Sequence, residues 1–305
     1  MGRRADVQRD VEIEDTFAEA FPMIAGRVLI TADSESWALA AAEAAAGFAS
    51  SIIMSPAEAG IEGQTIRSDE TPDGRPGVMI QVYNRTGHEW KMQMLRRIGQ
   101  CILTCPTTAA FDAMPDAKKR IRIGRAVSMF GDGFEKSDTF AGRKVWRIPV
   151  TEGEFVVEDR FGARRAAAGG NFLIMADTQS SGLKAAEKAV EAIRVVPAVI
   201  LPFPGGVCRS GSKVGSRMYK LGASTNDPYC PNLRGLVQDS KVPEGVSCVY
   251  ELVFNGLTPA HLRKATAVGI RAAVQIPGVR KITAVNFGGK LGPVKIFLRE
   301  TLASE

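Results

Sequence analysis

Leu29–Ala46 reads LITADSESWALAAAEAAA, and Leu173–Val190 reads LIMADTQSSGLKAAEKAV. Set in register 144 positions apart, ten of the eighteen residues agree: Leu29, Ile30, Ala32, Asp33, Ser36, Leu39, Ala41, Ala42, Glu43 and Ala45. Alanine inflates such a match, but Leu-Ile-x-Ala-Asp followed by Leu and Glu in register exceeds what composition supplies. Each copy opens as a short apolar strand, reaches Asp33 or Asp177, and passes a Ser/Thr cluster able to cap a helix. In the second copy Leu183, Ala186, Val190 and Ile193 fall at helical spacing, and Lys184, Glu187, Lys188 and Glu191 turn outward. A second strand is expected after each helix, at Ser51–Met54 and at Ala198–Leu201. The segment is a β-α-β unit, present twice.

A weaker echo runs at an offset of 171, matching Val82-Tyr83-Asn84 with Val253-Phe254-Asn255 and Pro106 with Pro277. Each strand feeds a helix, around Glu89–Ile102 and around Pro259–Val274. Thr258 before Pro259 is a good N-cap with proline at the first helical position. Each half thus holds β-α-β followed by β-α-β. The pattern predicts an α+β fold: two related ferredoxin-like (split β-α-β) lobes from internal duplication, antiparallel sheets with helices on one face. The lobes are expected at residues 1–168, carrying a β-rich insertion, and at residues 169–305. The insertion, roughly Ala117–Gly170, shows strand-like Arg120–Met129 and Lys144–Val150 and a Gly131-Asp132-Gly133 turn.

The 305 residues are 45% hydrophobic and 24% charged, enough for two ordinary domains with real cores. No apolar run reaches membrane-span length, and the charged start (Arg3, Arg4, Asp6, Arg9, Asp10) lacks the apolar stretch of a secretory signal. A cytoplasmic protein without membrane attachment is expected. Cys101, Cys105, Cys208, Cys230 and Cys248 form no C-x-x-C pair, which argues against a disulfide framework or a zinc site. His88 and His261 both sit on expected helices, so metal chemistry and a Ser-His mechanism are poorly supplied. The net charge of +6 comes with only 7% aromatics and no basic run interleaved with them, which disfavours nucleic acid and suits acidic small molecules. Lys118-Lys119-Arg120, with Arg122 and Arg125, reads as a solvated strand face or as a receiver for an acidic tail.

Where one copy of a repeat loses the shared pattern, a functional site is a candidate explanation. Glu251, inside Cys248-Val249-Tyr250-Glu251-Leu252-Val253-Phe254, stands where the first copy has Ile80. It is either a water-facing residue of an edge strand or a partly buried carboxylate whose lost hydration raises its pKa. Two glycine-rich loops follow strands of the same half: Phe203-Pro204-Gly205-Gly206, running on to Ser212-Lys213, and Asn286-Phe287-Gly288-Gly289-Lys290. Such loops are tight turns or nests of N–H groups that hold anions. Gly206–Lys213 nearly spells a phosphate loop, but Ser212 separates Gly211 from Lys213, so nucleotide binding is rejected. Thr225-Asn226-Asp227-Pro228-Tyr229 is turn chemistry that also suits recognition of a polar heterocycle, with Asn226 and Tyr229 as contacts. Glu70–Pro76 reads mainly as a type I turn.

Together these strings resemble the formylmethanofuran–tetrahydromethanopterin formyltransferase family over nearly the whole chain. The resemblance is carried by VEIEDTFAEAF (11–21), SPAEAGI (55–61), ETPDGRPGV (70–78), RIGQC (97–101), FDAMP (111–115), GRKVWRIPV (142–150), GEFVVED (153–159) and AGGNF (168–172). It continues through PFPGG (202–206), SKVGS (212–216), STNDPYCP (224–231), CVYELV (248–253) and NFGGKLG (286–292). It implies two related lobes, homo-oligomers (dimers or tetramers), and no metal or tightly bound cofactor. It implies transfer of a formyl group between N5 of tetrahydromethanopterin and the amine of a methanofuran-type carrier, both bound as substrates. The family's proposed catalytic carboxylate falls on Glu251. Archaeal members are strongly acidic, whereas this chain is basic. It looks more like the methylotroph branch, whose members work with hydrolase subunits on the route from formaldehyde to formate. The rival readings are a catalytically silent, pterin-holding scaffold subunit and a doubled ferredoxin-like nucleic-acid binder.

Overall fold

The computed structural model describes residues 11–211, 213–290 and 292–305. The charged residues at positions 3–10 and the candidate Ser212 lie outside the described residues. In chain order the elements are β1 (Glu12–Ile13), β2 (Phe17–Thr31), α1 (Glu35–Ala46), β3 (Glu58–Ile66), β4 (Gly77–Asn84), α2 (Gly87–Arg97) and β5 (Ala109–Asp112). Next come β6 (Lys119–Ile121), α3 (Ile123–Ser128), β7 (Lys136–Phe140), β8 (Arg143–Val150), β9 (Gly153–Glu158), β10 (Phe161–Ala176) and α4 (Gln179–Arg194). The rest are β11 (Val199–Ile200), β12 (Lys213–Val214), β13 (Ala223–Ser224), β14 (Cys248–Gly256), α5 (Pro259–Ala273), β15 (Val279–Thr283), β16 (Val294–Phe297) and α6 (Leu298–Ser304). The fold is mixed α+β, and the chain divides into two compact units: 23–166, and 11–22 with 167–305.

In the unit 23–166 the strand order is β3–β4–β2–β5–β9–β8–β7, antiparallel except where β5 meets β9. Val28 and Ile30 of β2 and Val78, Ile80 and Val82 of β4 share a core with Ala38, Ala41, Ala42 and Ala45 of α1 and with Trp90 and Met94 of α2. The alternating strand pattern therefore meets an alanine stripe that lets the helix approach closely.

In the second unit the order is β11–β14–β10–β15–β1, with β1 parallel to β15 and the other pairs antiparallel; β16 pairs with Phe17–Ala20 of β2. Phe172, Ile174, Leu252, Phe254 and Ile282 share a core with α4 and α5. The residues between them, Leu173 and Met175, turn to the opposite face and pack with Tyr229, Val242 and Val246. Ser34, Thr86, Thr178 and Thr258 cap α1, α2, α4 and α5, each hydroxyl accepting from the backbone N–H three residues on.

Three expectations need correction. Ser51–Met54 is a turn, closed by Met54 and Ser55 N–H groups donating to the Ser51 carbonyl at 3.1 and 2.7 Å; the returning strand is β3. Arg120–Met129 is not one strand. It divides into β6 and the short α3, because Ile123, Gly124, Val127 and Ser128 bury one helical face. A Cβ at Gly124 would lie 1.9 Å from the Glu158 carbonyl oxygen, so glycine permits that approach. Leu183 does not face the core: it is 42% exposed, and α4 instead buries Gly182, Ala185, Ala186, Ala189, Val190 and Ile193. A side chain at Gly182 would start 2.5 Å from Cys248 Sγ, so the small-residue stripe packs on the sheet and its register leaves Leu183 outside.

Candidate active site

β14 carries Glu251 on its helix-free face, since Leu252 and Phe254 take the other one. The strand is paired on both sides there. Leu173 of β10 is the cross-strand neighbour on one side, and Cys208 bridges on the other, with Cys208 N–H donating to Glu251 O at 2.8 Å and Glu251 N–H to Cys208 O at 3.2 Å. The water-facing edge reading of Glu251 is thereby excluded. The residue is 8% exposed. Loss of hydration pushes its pKa up to about 7, and a hydrogen bond from the Cys208 thiol pulls the other way. A group with that pKa can both take and return a proton at neutral pH.

The segment before Cys208 borders a cleft. Pro204–Gly206 is a single tight turn in which Gly206 N–H donates to Phe203 O at 2.8 Å. Gly205 and Gly206 have φ of 64° and 89°, and a Cβ on Gly206 would meet Val190 at 2.9 Å. This glycine pair is therefore explained by the turn and by close approach to α4. Phe203, Pro204, Val207, Cys208, Arg209 and Ser210 line an open cleft of about 670 Å³.

Lys213, expected to meet a ligand, is engaged within the protein. Its ammonium pairs with Asp227, which Arg217 also reaches at 2.8 Å, and Lys213 holds Asp227 below the usual carboxylate range. The pairing ties the β12–β13 hairpin to the Asn226–Tyr229 turn. Asn226 is buried, and its Nδ2 has no hydrogen-bond acceptor among the described residues. A Cβ on Gly211 would lie 3.4 Å from Asn226 Cβ, so the backbone at Gly211 passes beside Asn226. Tyr229 packs with Leu173 on the same sheet face as Glu251, under the Lys241 ammonium 5.4 Å from its ring centre.

Of the two readings of the second glycine loop, tight turn or anion nest, the nest describes it, and a carboxylate of the chain itself fills it. The N–H groups of Phe287, Gly289 and Gly292 all donate to the buried Glu19 carboxylate, at 2.8 Å from Phe287 and 2.9 Å from Gly292. Gly288 N–H donates to Asn286 Oδ1 at 3.1 Å, while Asn286 Nδ2 donates to Thr16 Oγ1 and Phe17 O. These N–H groups are in use, so this loop is no oxyanion hole as it stands. Lys290 is exposed. The structure thus brings Tyr229 onto the Glu251 face of the sheet, places Phe203–Gly206 in the segment leading to Cys208, and anchors 286–290 on Glu19.

Sequence reasoning missed Cys208, Ser210, Glu19 and Asn171. Glu19 sits in Phe17-Ala18-Glu19-Ala20-Phe21, an acid within an apolar strand, which is the local part of the signal that Glu251 gives. Asn171 faces Val253 across β10–β14 and clamps the Val285 backbone, accepting its N–H at 2.9 Å and donating to its carbonyl at 3.1 Å.

Comparison with known proteins decides the family. A family model described as formylmethanofuran-tetrahydromethanopterin formyltransferase matches residues 7–150, and one described as FTR, proximal lobe, matches 153–301. This chain is a member of the formylmethanofuran–tetrahydromethanopterin formyltransferase family. The family enzyme of Methanopyrus kandleri is 56% identical over 95% of this chain and 98% of its own. Among solved structures, the formyltransferase of Methanosarcina barkeri superposes with a TM-score of 0.92 at 49% identity, over 95% of this chain and 98% of that one. The formyltransferase/hydrolase complex of Methylorubrum extorquens, solved with methylofuran, gives 0.90 at 43% identity, over 96% of this chain and 97% of that one. Formyltransferases of this family thus share both sequence and fold with the chain nearly end to end.

Proposed function

We propose that this protein moves a formyl group between N5 of tetrahydromethanopterin and the amine of a methanofuran-type carrier, with Glu251 as the proton acceptor and donor. The observation that carries the reading is a carboxylate buried in an apolar strand and poised near neutrality, in a chain of this family. In the reaction an amine attacks a formyl amide carbon. The tetrahedral intermediate bears an oxyanion, and the attacking nitrogen must lose a proton. Glu251 takes that proton and returns one to the leaving amine. Holding both carriers in contact supplies proximity. The unused Asn226 Nδ2 is our oxyanion donor; loss of one such donor costs roughly 10²–10³-fold in kcat, the loss expected for Asn226→Ala in a steady-state assay.

The decisive experiment is steady-state transfer with the purified protein and Glu251→Gln. Turnover should fall by roughly 10²–10⁴-fold. A protein that binds pterin without giving product, and is indifferent to the substitution, is the silent scaffold instead.

Further parts of the reading go with it. The orders β5–β2–β4–β3 and β15–β10–β14–β11 support two ferredoxin-like repeats; of the lobes expected at 1–168 and 169–305, we keep the boundary and assign 11–22 to the second, with which they group. The Methylorubrum extorquens likeness supports work with hydrolase partners, and the +6 charge suits the same branch; the direction of formate and a place in the cytoplasm are our reading. Among the described residues no helix is long and apolar enough to cross a membrane.

A further inference from the structure

Glu251 holds a proton in the proposed transfer, and its bridge partner Cys208 lies beside it with a buried thiol. In an antiparallel pair that exchanges both N–H···O bonds, the two side chains project from the same face of the sheet. Cys208 is in that relation to Glu251. Its buried thiol donates to the carboxylate. The sulfur also lies 3.6 Å from the Ser210 hydroxyl and accepts from the Ser210 and Gly211 backbone N–H groups. Cys208 and Ser210 line the cleft; Glu251 is not part of that lining.

We propose that Cys208 is a positioning residue for formyl transfer: its thiol fixes the Glu251 carboxylate in one orientation and, with Ser210, connects that acid to the cleft wall. The inference rests on Glu251 acting as the proton relay. A thiol suits the task because it is a weak donor. It orients the carboxylate without stabilising the anion enough to return it to ordinary acidity. Burial raises the thiol's own pKa, so sulfur keeps its proton across the range in which Glu251 titrates. On the same sheet face Leu173 lies across β10, Val249 and Val253 flank Glu251 along its own strand, and Asn171 and Tyr229, the latter under the Lys241 ammonium, lie beyond them. Among the described residues, Cys208 is the titratable side chain that acts on Glu251.

The test uses the full chain, its pH–rate profile and its infrared S–H band. In Cys208→Ala the acid limb of kcat should move alkaline by about half a unit to one unit, with KM little changed. Cys208→Ser, which restores a donor, should bring the limb back to the wild-type position or below it. In wild type, the S–H stretch that disappears in Cys208→Ser should shift as pH crosses the Glu251 titration, and it should stop shifting in Glu251→Gln. An unmoved acid limb in Cys208→Ala overturns the proposal, as does the same alkaline shift in both variants. Should Cys208→Ala not fold, the wild-type band decides alone, and a band indifferent to pH overturns the proposal. Full activity of Glu251→Gln is a separate result: it removes the relay while leaving the thiol contact to the infrared measurement.

Discussion

Glu251 has a consequence for stability as well as for turnover. Its folded pKa, about 7, lies above the ordinary 4.5. A carboxyl raised in this way favours the folded state most when protonated, and that contribution is lost as pH rises from the unfolded value through the folded one. The gap corresponds to about 3 kcal/mol at alkaline pH. Glu251→Gln should therefore be more stable than wild type at pH 8.5, with the difference vanishing as pH falls toward 4. Denaturation at the two pH values checks this, and equal stability differences at both would sink the buried-acid account. The same residue shows what was legible in the sequence. A carboxylate where the sister repeat has Ile80 announces a broken pattern. Its thiol partner announces nothing, because Cys208 meets Glu251 through a backbone bridge between residues 43 positions apart. The anion held by the N–H groups of this loop is hidden in the sequence for the same reason: Glu19, which accepts from Phe287 and Gly289, lies about 270 positions away.

The elements repeat a device that neither offset revealed. After each of α1, α2, α4 and α5 the chain returns toward a strand through one left-handed residue: Phe48 (φ 48°), Thr107 (φ 62°), Ala198 (φ 60°) and Gly278 (φ 94°). Glycine occupies one of the four. The matched Pro106 and Pro277 were therefore markers of this turn, each followed by its left-handed residue. Left-handed backbone costs a non-glycine residue roughly 1–2 kcal/mol, partly offset by the chain entropy that glycine adds to the unfolded state. Ala198→Gly should thus be neutral to stabilising, by up to about 1 kcal/mol. Gly278→Ala should destabilise by roughly 2–3 kcal/mol. Its Cβ would sit 2.4 Å from Asp177 Oδ1 and 2.6 Å from Ser181 Oγ, and Arg280 holds Asp177 in place at 3.1 Å. Chemical denaturation of both variants tests the pair, and opposite signs are the expected result. The Glu19 clamp belongs to this scale too. In Glu19→Ala the amides of Phe287, Gly289 and Gly292 should exchange with solvent at least tenfold faster, because three donors lose one acceptor.

On the scale of the whole molecule, the question is what the surface is for. Periodicity revealed the helices and the strands they pack on, because burial imposes a spacing that one chain can display by itself. It does not reveal surface partners, which impose no period. The segment 213–236 exposes Val214, Met218, Tyr219, Leu221 and Leu236, with Met218 82% and Tyr219 71% accessible. Scattered apolar residues on a surface need no explanation, but five exposed ones within 23 positions of one excursion are a density that self-association would cover. We expect this segment to lie in the interface of a homo-oligomer. Light scattering on the purified chain should give a mass at least twice the 32.7 kDa of one copy. The double substitution Met218→Asp, Tyr219→Asp should lower that mass, since desolvating two carboxylates in an apolar contact is strongly unfavourable. Neither side chain takes part in the hydrogen bonds or ion pairs around Glu251, so far-ultraviolet circular dichroism should be unchanged. A wild-type chain that runs as a monomer, or a double variant that keeps the full mass, would show that this patch serves something other than a second copy.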